Sequence, residues 1–294
     1  MQKTALHTQR IKLNGERVTR HYTSEISTVI VQDGKQVFNA IANEFDLMYL
    51  GQDPEGLLNY KIQNKRRLLL NKKFSVIRKL NKAQNIALEA AKVNDLLECK
   101  VTKNFKLVKV VNTNAIREQW QHIKASLLTQ YPDLEAMAND FDWQLQDEHI
   151  QRVYLEDNFY NFFFSNIFFR EFIAKQPVEE HKVISNAVGN ISIPVVEYKR
   201  ISKQDRAFTE VEVQAHAEID TEHENFPLAK LNAFLGKLPT TTGSKHHLEF
   251  IYNGTYNITP TNGLVTQGKL EYTFAIGALY SKTTRITFNL EDDE

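Results

Sequence analysis

Hydrophobic positions along this chain recur with a period of two near both ends and a period of three to four in the middle. That pattern predicts strands, then helices, then strands. Within residues 17–50 the β-rich run Ile26-Ser27-Thr28-Val29-Ile30-Val31 is followed by Asp33-Gly34, a dipeptide suited to a tight hairpin turn, and a second strand starts near Val37. Turn residues at 51–56 precede a third strand over 57–70, giving three strands in meander order. Residues 74–97 lack glycine and proline and space Phe74, Ile77, Leu80, Ala87 and Ala91 roughly as a helix does, which predicts one long helix. Alternation returns over 99–111, with Lys103-Asn104 as the turn of a short hairpin.

The clearest helix follows, with Ile116, Trp120, Ile123, Leu127 and Tyr131 along one face. Pro132 suits the first turn of a second helix over 133–145, and a third is predicted over 147–172. Strands are then expected at 182–188, 191–201, 207–219, 246–258, 264–276 and 279–290. A short helix falls at 227–238, hairpin signals at Asn262-Gly263 and Gly277-Ala278, and a frayed acidic tail closes the chain. Strands are not interleaved one by one with helices, so an antiparallel sheet is favoured. The predicted fold is α+β: a curved antiparallel sheet packed against a central group of helices. Along the chain this divides into a strand-rich region with one long helix (1–111), a helical region (112–176) and a β region with one short helix (177–294).

The densest aromatic segment, 159–172, lies in the third predicted helix. Drawn as a helix it carries one stripe of Leu155, Phe159, Phe162, Phe169 and Ile173 and another of Tyr160, Phe164, Ile167 and Phe168, so it must be enclosed. It reads either as a core helix gripped by a sheet or as the wall of a site for an apolar ligand or partner protein, with Phe159, Phe163, Phe164 and Phe168 as its binding residues.

Composition narrows the choices. Lysine plus arginine equals aspartate plus glutamate at 36 each, so no global field draws the chain to nucleic acid or an anionic surface. Local segregation is another matter. Residues 61–82 are strongly basic, and no acidic residue occurs between Glu55 and Glu89. Lys65, Arg66, Arg67, Lys72 and Lys73 could neutralise nucleic-acid phosphates, although only Phe74 supplies an interleaved stacking platform. The same charges could form a solvated edge complementing acidic residues elsewhere, such as those of 210–224. That acidic strand offers a metal reading: His216, Glu218 and Asp220 share one strand face, as a metal-dependent hydrolase would need, while Val213, Ala215, Ala217 and Ile219 on the other face read as a half-buried strand. His246 and His247, being adjacent, point to opposite faces of a strand.

Cys99 is the only cysteine, which excludes an intrachain disulfide and fits a reducing, cytoplasmic setting. Residues 1–15 contain no apolar run of the secretory type, and the most apolar stretch, 159–173, is too short and interrupted to span a bilayer. No serine elbow, cysteine–histidine spacing or glycine-rich phosphate loop occurs, and no cofactor is indicated. The sequence therefore points to a non-enzymatic binding or interaction protein, such as an assembly component, for a protein partner or apolar ligand.

Overall fold

The computed structural model describes residues 8–13, 18–173, 176–238, 247–260 and 263–291. After a short strand β1 (Thr8–Gln9) come three long strands, β2 (Thr19–Gln32), β3 (Lys35–Gln52) and β4 (Leu58–Leu70). Asp33 and Gly34 both take left-handed backbone, φ 51° and 72°, as the tight turn between β2 and β3 requires. The helix predicted over 74–97 is shorter than its periodicity implies: α1 covers only Lys82–Ala91. Asn81 and Gln84 form a reciprocal capping box that starts the helix there. The preceding residues turn back against the end of β4 instead, because Val76 bridges to Leu70, the Ile77 N–H donates to Leu69 O, and Phe74 adopts φ 56°.

The hairpin β5 (Leu96–Val101) and β6 (Leu107–Val110) follows, then α2 (Thr113–Gln130), which buries Ile116, Trp120, Ile123 and Leu127 as their spacing predicts. Pro132 opens a single 3-10 turn leading into α3 (Glu135–Gln144), and α4 spans Asp147–Leu155. The third predicted helix, 147–172, is broken. A six-residue α5 (Asn158–Phe163), capped by Asp157, ends at Phe164, and Asn166 and Phe169 both take φ 52°.

Strand β7 (Phe172–Ile173) pairs with β1, and β8 (Val178–Val188), β9 (Ile191–Gln204) and β10 (Val211–Ile219) follow. After α6 (Leu228–Leu235) the chain closes with β11 (Glu249–Thr259), β12 (Leu264–Ile276) and β13 (Tyr280–Leu290). Gly277 lies in the left-handed region as a tight turn demands. His246 and Asn262, and most of the acidic tail, lie outside the described residues.

Apart from the β1–β7 pair, the strands of the described residues form one eleven-stranded antiparallel sheet in the order β6-β5-β4-β3-β2-β13-β12-β11-β10-β9-β8. The predicted α+β mixture is present, dominated by strand. The N-terminal strands extend the C-terminal sheet, because β13 pairs with β2 from Tyr280↔Gln32 to Leu290↔Tyr22. No described helix is long and apolar enough to cross a membrane.

The sheet is open and must curl. The aromatic segment touches β3 through Phe45–Phe163 at 5.4 Å, and α5 also binds β8 through Asn158 and Ser185. Strands β3 and β8 are seven places apart, about 34 Å in a flat sheet. A six-residue helix is only about 9 Å long. The two ends reach the same short element because the sheet wraps around it. Gly268 helps at the centre, since a Cβ there would lie 2.2 Å from the Phe288 ring.

Two side-chain amides fasten the helices to the sheet. Gln151 of α4 accepts from the Val110 N–H and donates to Val110 O, closing the edge strand β6 as a neighbouring strand would. Asn158 treats Ser185 in the same way, where the β8–β9 register slips. These bonds hold α4 and α5, and with them the aromatic segment, over the inner face.

Candidate functional site

The aromatic segment divides the inner face of the sheet. Phe162, Phe163, Phe164, Ile167 and Phe168 are all essentially buried. A straight helix would spread these residues around its circumference at 100° per step. Leaving the helix at Phe164 keeps Phe162, Phe164, Ile167 and Phe168 of the two predicted stripes on the core side, while Phe159 stays half-buried and Phe169 is exposed. Such a turn buries non-helical backbone, which needs hydrogen-bond partners. The Asn166 N–H donates to Phe105 O, the Phe169 N–H to Ile11 O, and Asn104 Nδ2 to Phe168 O. Ser165 O accepts from the ammonium of Lys199 at 2.6 Å.

Lys199 belongs to a buried charge cluster on the β8–β11 flank. Alternation along β9 turns Ile191, Ile193, Val195, Glu197 and Lys199 toward the core, the last two as buried as the rest. Lys199 Nζ lies 2.8 Å from both Glu180 Oε2 and Glu197 Oε2, Lys182 Nζ lies 2.6 Å from Glu197 Oε2, and Lys106 reaches Glu180 at 3.0 Å. Tyr252 donates its hydroxyl to Glu197 Oε1 at 2.5 Å. Burial pushes both carboxyls up, but the surrounding lysines outweigh it and hold Glu180 and Glu197 below the ordinary carboxylate range. Burial likewise works against the Lys199 ammonium, and Glu197 with Glu180 overcomes it, raising Lys199 above the usual lysine value. Lys182 goes the other way, because burial exceeds what Glu197 returns. The cavity beside Lys182 and Tyr252 is about 20 Å³, room for one water rather than a substrate. Sequence reading missed this cluster, although Glu197 and Lys199 continue the in-facing parity of Ile191, Ile193 and Val195.

The opposite flank is open. A cleft of about 200 Å³ lies between β2–β4 and the helices, with walls that include Ile26, Ile41, Phe45, Ile62 and Phe159. Its polar lining includes Ser24, Asn43, Asn64, Arg67 and Asp157. A bulge decides which cation enters. Glu44 pairs with Arg66 and Phe45 with Asn64, so Lys65 is the extra residue and the alternation of β4 reverses there. Arg67, not Arg66, consequently joins Asn64 at the cleft. Arg67 Nε donates to Asn43 Oδ1 at 3.2 Å and its guanidinium pairs with Asp95 at 3.0 Å. Asn64 Oδ1 is buried with no hydrogen-bond partner. Asp157 accepts from the Tyr160 N–H, and burial raises its carboxyl above the ordinary aspartate range.

The predicted aromatic residues take different places. Phe159 is half-buried and lines the cleft, stacked at 5.7 Å on Phe163. Phe163 and Phe168 floor a second, much narrower crevice of about 20 Å³ beside Tyr22, Tyr60 and Phe105. Phe164 is enclosed against Phe105 and Phe163.

The basic residues do not share one surface. Lys65 pairs with Asp46 at 2.9 Å and Arg66 with Glu44 at 3.2 Å across the β3–β4 ladder. Their acidic complement is thus on the adjacent strand, not in the 210–224 segment, which lies six strands away. Lys72 donates to Gln36, and Lys73 lies exposed in the following turn. On β10, His216 is exposed and stacks on Tyr198 at 5.1 Å, Glu218 is exposed, and Asp220 lies past the strand end, 3.0 Å from His181 Nδ1. Among the described residues no group of three or more histidine, cysteine or acidic side chains could hold a metal ion. Cys99 is buried, and burial pushes its thiol well up.

No protein-family model matches the sequence, and no curated protein matches it. A solved structure described as "Lipid-protein interactions in lipovitellin" aligns over 93% of this chain and 25% of its own, with 8% identity and a TM-score of 0.49. The chain thus spans about a quarter of that protein, and at this level of similarity nothing about ligand or activity transfers.

Proposed function

We propose that this is a non-enzymatic binding protein for an amphipathic small molecule, received in the cleft between β2–β4 and α5. The observation that carries this reading is the cleft itself, which joins apolar walls at Ile26, Ile41, Phe45, Ile62 and Phe159 to a small polar set at Arg67, Asn64 and Asp157. Ligand sites commonly combine a mostly apolar lining with a few placed polar groups. At about 200 Å³ the cleft lies below the usual range of roughly 300–1,000 Å³, so it suits one apolar segment of a longer molecule. The unpartnered Asn64 Oδ1 calls for a donor, and Arg67 supplies positive charge at the same wall.

Titration with a fluorescent long-chain fatty acid tests the proposal. Saturable binding is expected, and Ile41→Trp, which fills the cleft from one wall, should abolish it while the fold persists by circular dichroism. Absence of saturable binding in the parent protein, or unchanged binding in the folded Ile41→Trp variant, would overturn it.

A further inference from the structure

We infer that residues 71–82, with the adjoining end of the β2–β3 hairpin, form a docking surface for an anionic lipid membrane. Three features meet there. The first is exposed apolar surface, since Val37 is 52% exposed and Phe74 and Val76 are each 45% exposed. The second is unneutralised positive charge. Lys73, Arg78 and Lys79 are exposed and make no side-chain hydrogen bond or ion pair among the described residues, while Lys72 bonds only to the neutral Gln36. Lys82 is the exception, paired with Asp133.

The third feature is a fixed projection. Asn71 Oδ1 accepts from the N–H groups of Lys73 and Ser75, the Phe74 N–H donates to Asn71 O, and the Phe74 ring packs edge-on against Phe38 at 5.8 Å. An apolar tip ringed by lysine and arginine matches a bilayer interface, where the aromatic group enters the headgroup region and the cations meet anionic lipid. Nucleic acid would be the other polyanion. It fits less well, because Lys65, Arg66 and Arg67 of β4 are already paired with Asp46, Glu44 and Asp95, and the free cations of residues 73–79 have a single ring among them, Phe74, packed edge-on against Phe38 rather than part of a run of stacking faces. The surface adjoins the cleft wall: Ile41, which lines the cleft, pairs with Leu69, whose carbonyl accepts from Ile77.

Co-sedimentation with vesicles of phosphatidylcholine containing about one-third phosphatidylglycerol tests this. Binding is expected to these vesicles, not to pure phosphatidylcholine, and to weaken with salt. Each lysine or arginine at such a surface contributes roughly fivefold, so joint replacement of Lys73, Arg78 and Lys79 by glutamine should cost about 100-fold. Phe74→Ala should cost roughly tenfold. The paired Arg66→Gln should change binding by less than the replacement of Lys73 alone, and Ile41→Trp should still dock, which separates this inference from the fate of the cleft. No binding to the anionic vesicles, equal binding to neutral ones, or full binding by the triple variant would overturn it. So would single-stranded RNA binding that is retained at physiological salt and displaces the vesicles.

Discussion

On the β8–β11 flank of the aromatic segment, Glu180, Glu197, Lys182 and Lys199 are sealed together, each charge answered by another and one lysine bound to a loop carbonyl. On the β2–β4 flank, Arg67 and Asp157 also face inward, yet they border open space and leave Asn64 Oδ1 without a partner. Charges enter both sides of one curled sheet, but only one side closes over them. A sealed set with neighbouring opposite charges fixes a conformation, whereas an incompletely satisfied set beside an apolar cleft has capacity left for a ligand. The aromatic segment serves both: its carbonyl at Ser165 is held by the sealed flank, and its ring at Phe159 lines the open one.

The largest effect should come from the segment that divides the two flanks. Phe163→Ala and Phe164→Ala each remove a fully enclosed ring and are expected to cost about 3–5 kcal/mol. A domain has only about 5–15 kcal/mol to lose, so the double variant should be unfolded by circular dichroism at room temperature. Phe159→Ala, at the half-buried cleft wall, should cost under about 2 kcal/mol and act mainly on ligand affinity.

Next comes the sealed flank. Lys199→Met removes the cation that Glu180 and Glu197 share, leaving them only Lys106 and Lys182, and frees Ser165 O, so urea denaturation should show a loss of about 3 kcal/mol. Replacing Glu180, Glu197, Lys182 and Lys199 together by apolar residues of similar volume should recover much of that loss, because the desolvation of the charges disappears with them. If the single variant is as stable as the parent, the sealed flank is not what holds the aromatic segment.

A pH series sharpens the same contrast. Glu180 and Glu197 bind protons less tightly in the native state than in the unfolded chain, where glutamate titrates near about 4.3. The stability they add is complete above that value and is lost as pH falls through it toward their depressed native values. Asp157, raised by burial, contributes with the opposite sign, so acid relieves part of its cost on the open flank. Denaturation midpoints between pH 7 and pH 3 should therefore fall, and the fall should be shallower in Glu197→Gln. An unchanged slope would detach the cluster from acid sensitivity.

The smallest stability effect is expected at Arg67. Its partner Asp95 is about half exposed, so Arg67→Met should cost no more than about 1 kcal/mol. Affinity for an anionic amphiphile should fall far more than stability does. A large stability loss with unaltered binding would make Arg67 a structural group and reverse the comparison between the flanks.

Much of the local structure is legible in the residues. The Asp33-Gly34 turn, the meander of β2 to β4, the buried stripe of α2 and the six C-terminal strands follow from alternation, turn chemistry and helical spacing, all of which act between near neighbours. Two helices were read too long. Over 74–97 the capping box at Asn81 outweighs periodicity, and over 147–172 the shape of the enclosing sheet selects a broken path that no 3.6-residue pattern encodes. Of the candidate site, the aromatic concentration was visible in the sequence, but its division into a cleft wall at Phe159 and a closed core at Phe164 was not.

Those choices belong to tertiary structure because they depend on which strands become neighbours and where a ladder slips. The pairing of β13 with β2 closes the sheet's two halves into one surface and brings Tyr22 and Phe288 to the same aromatic cluster. The bulge at Lys65 turns Arg67 rather than Arg66 inward. Glu197 and Lys199 share the in-facing parity of Ile191, Ile193 and Val195, but only curvature places Ser165 O and Glu180 against Lys199. The residues alone set the periods, the turns and the segregation of basic charge in 61–82. Only the curled sheet, which enforces contacts between residues far apart in the chain, decided which of those charges are sealed, which border a cleft and which remain free at the surface.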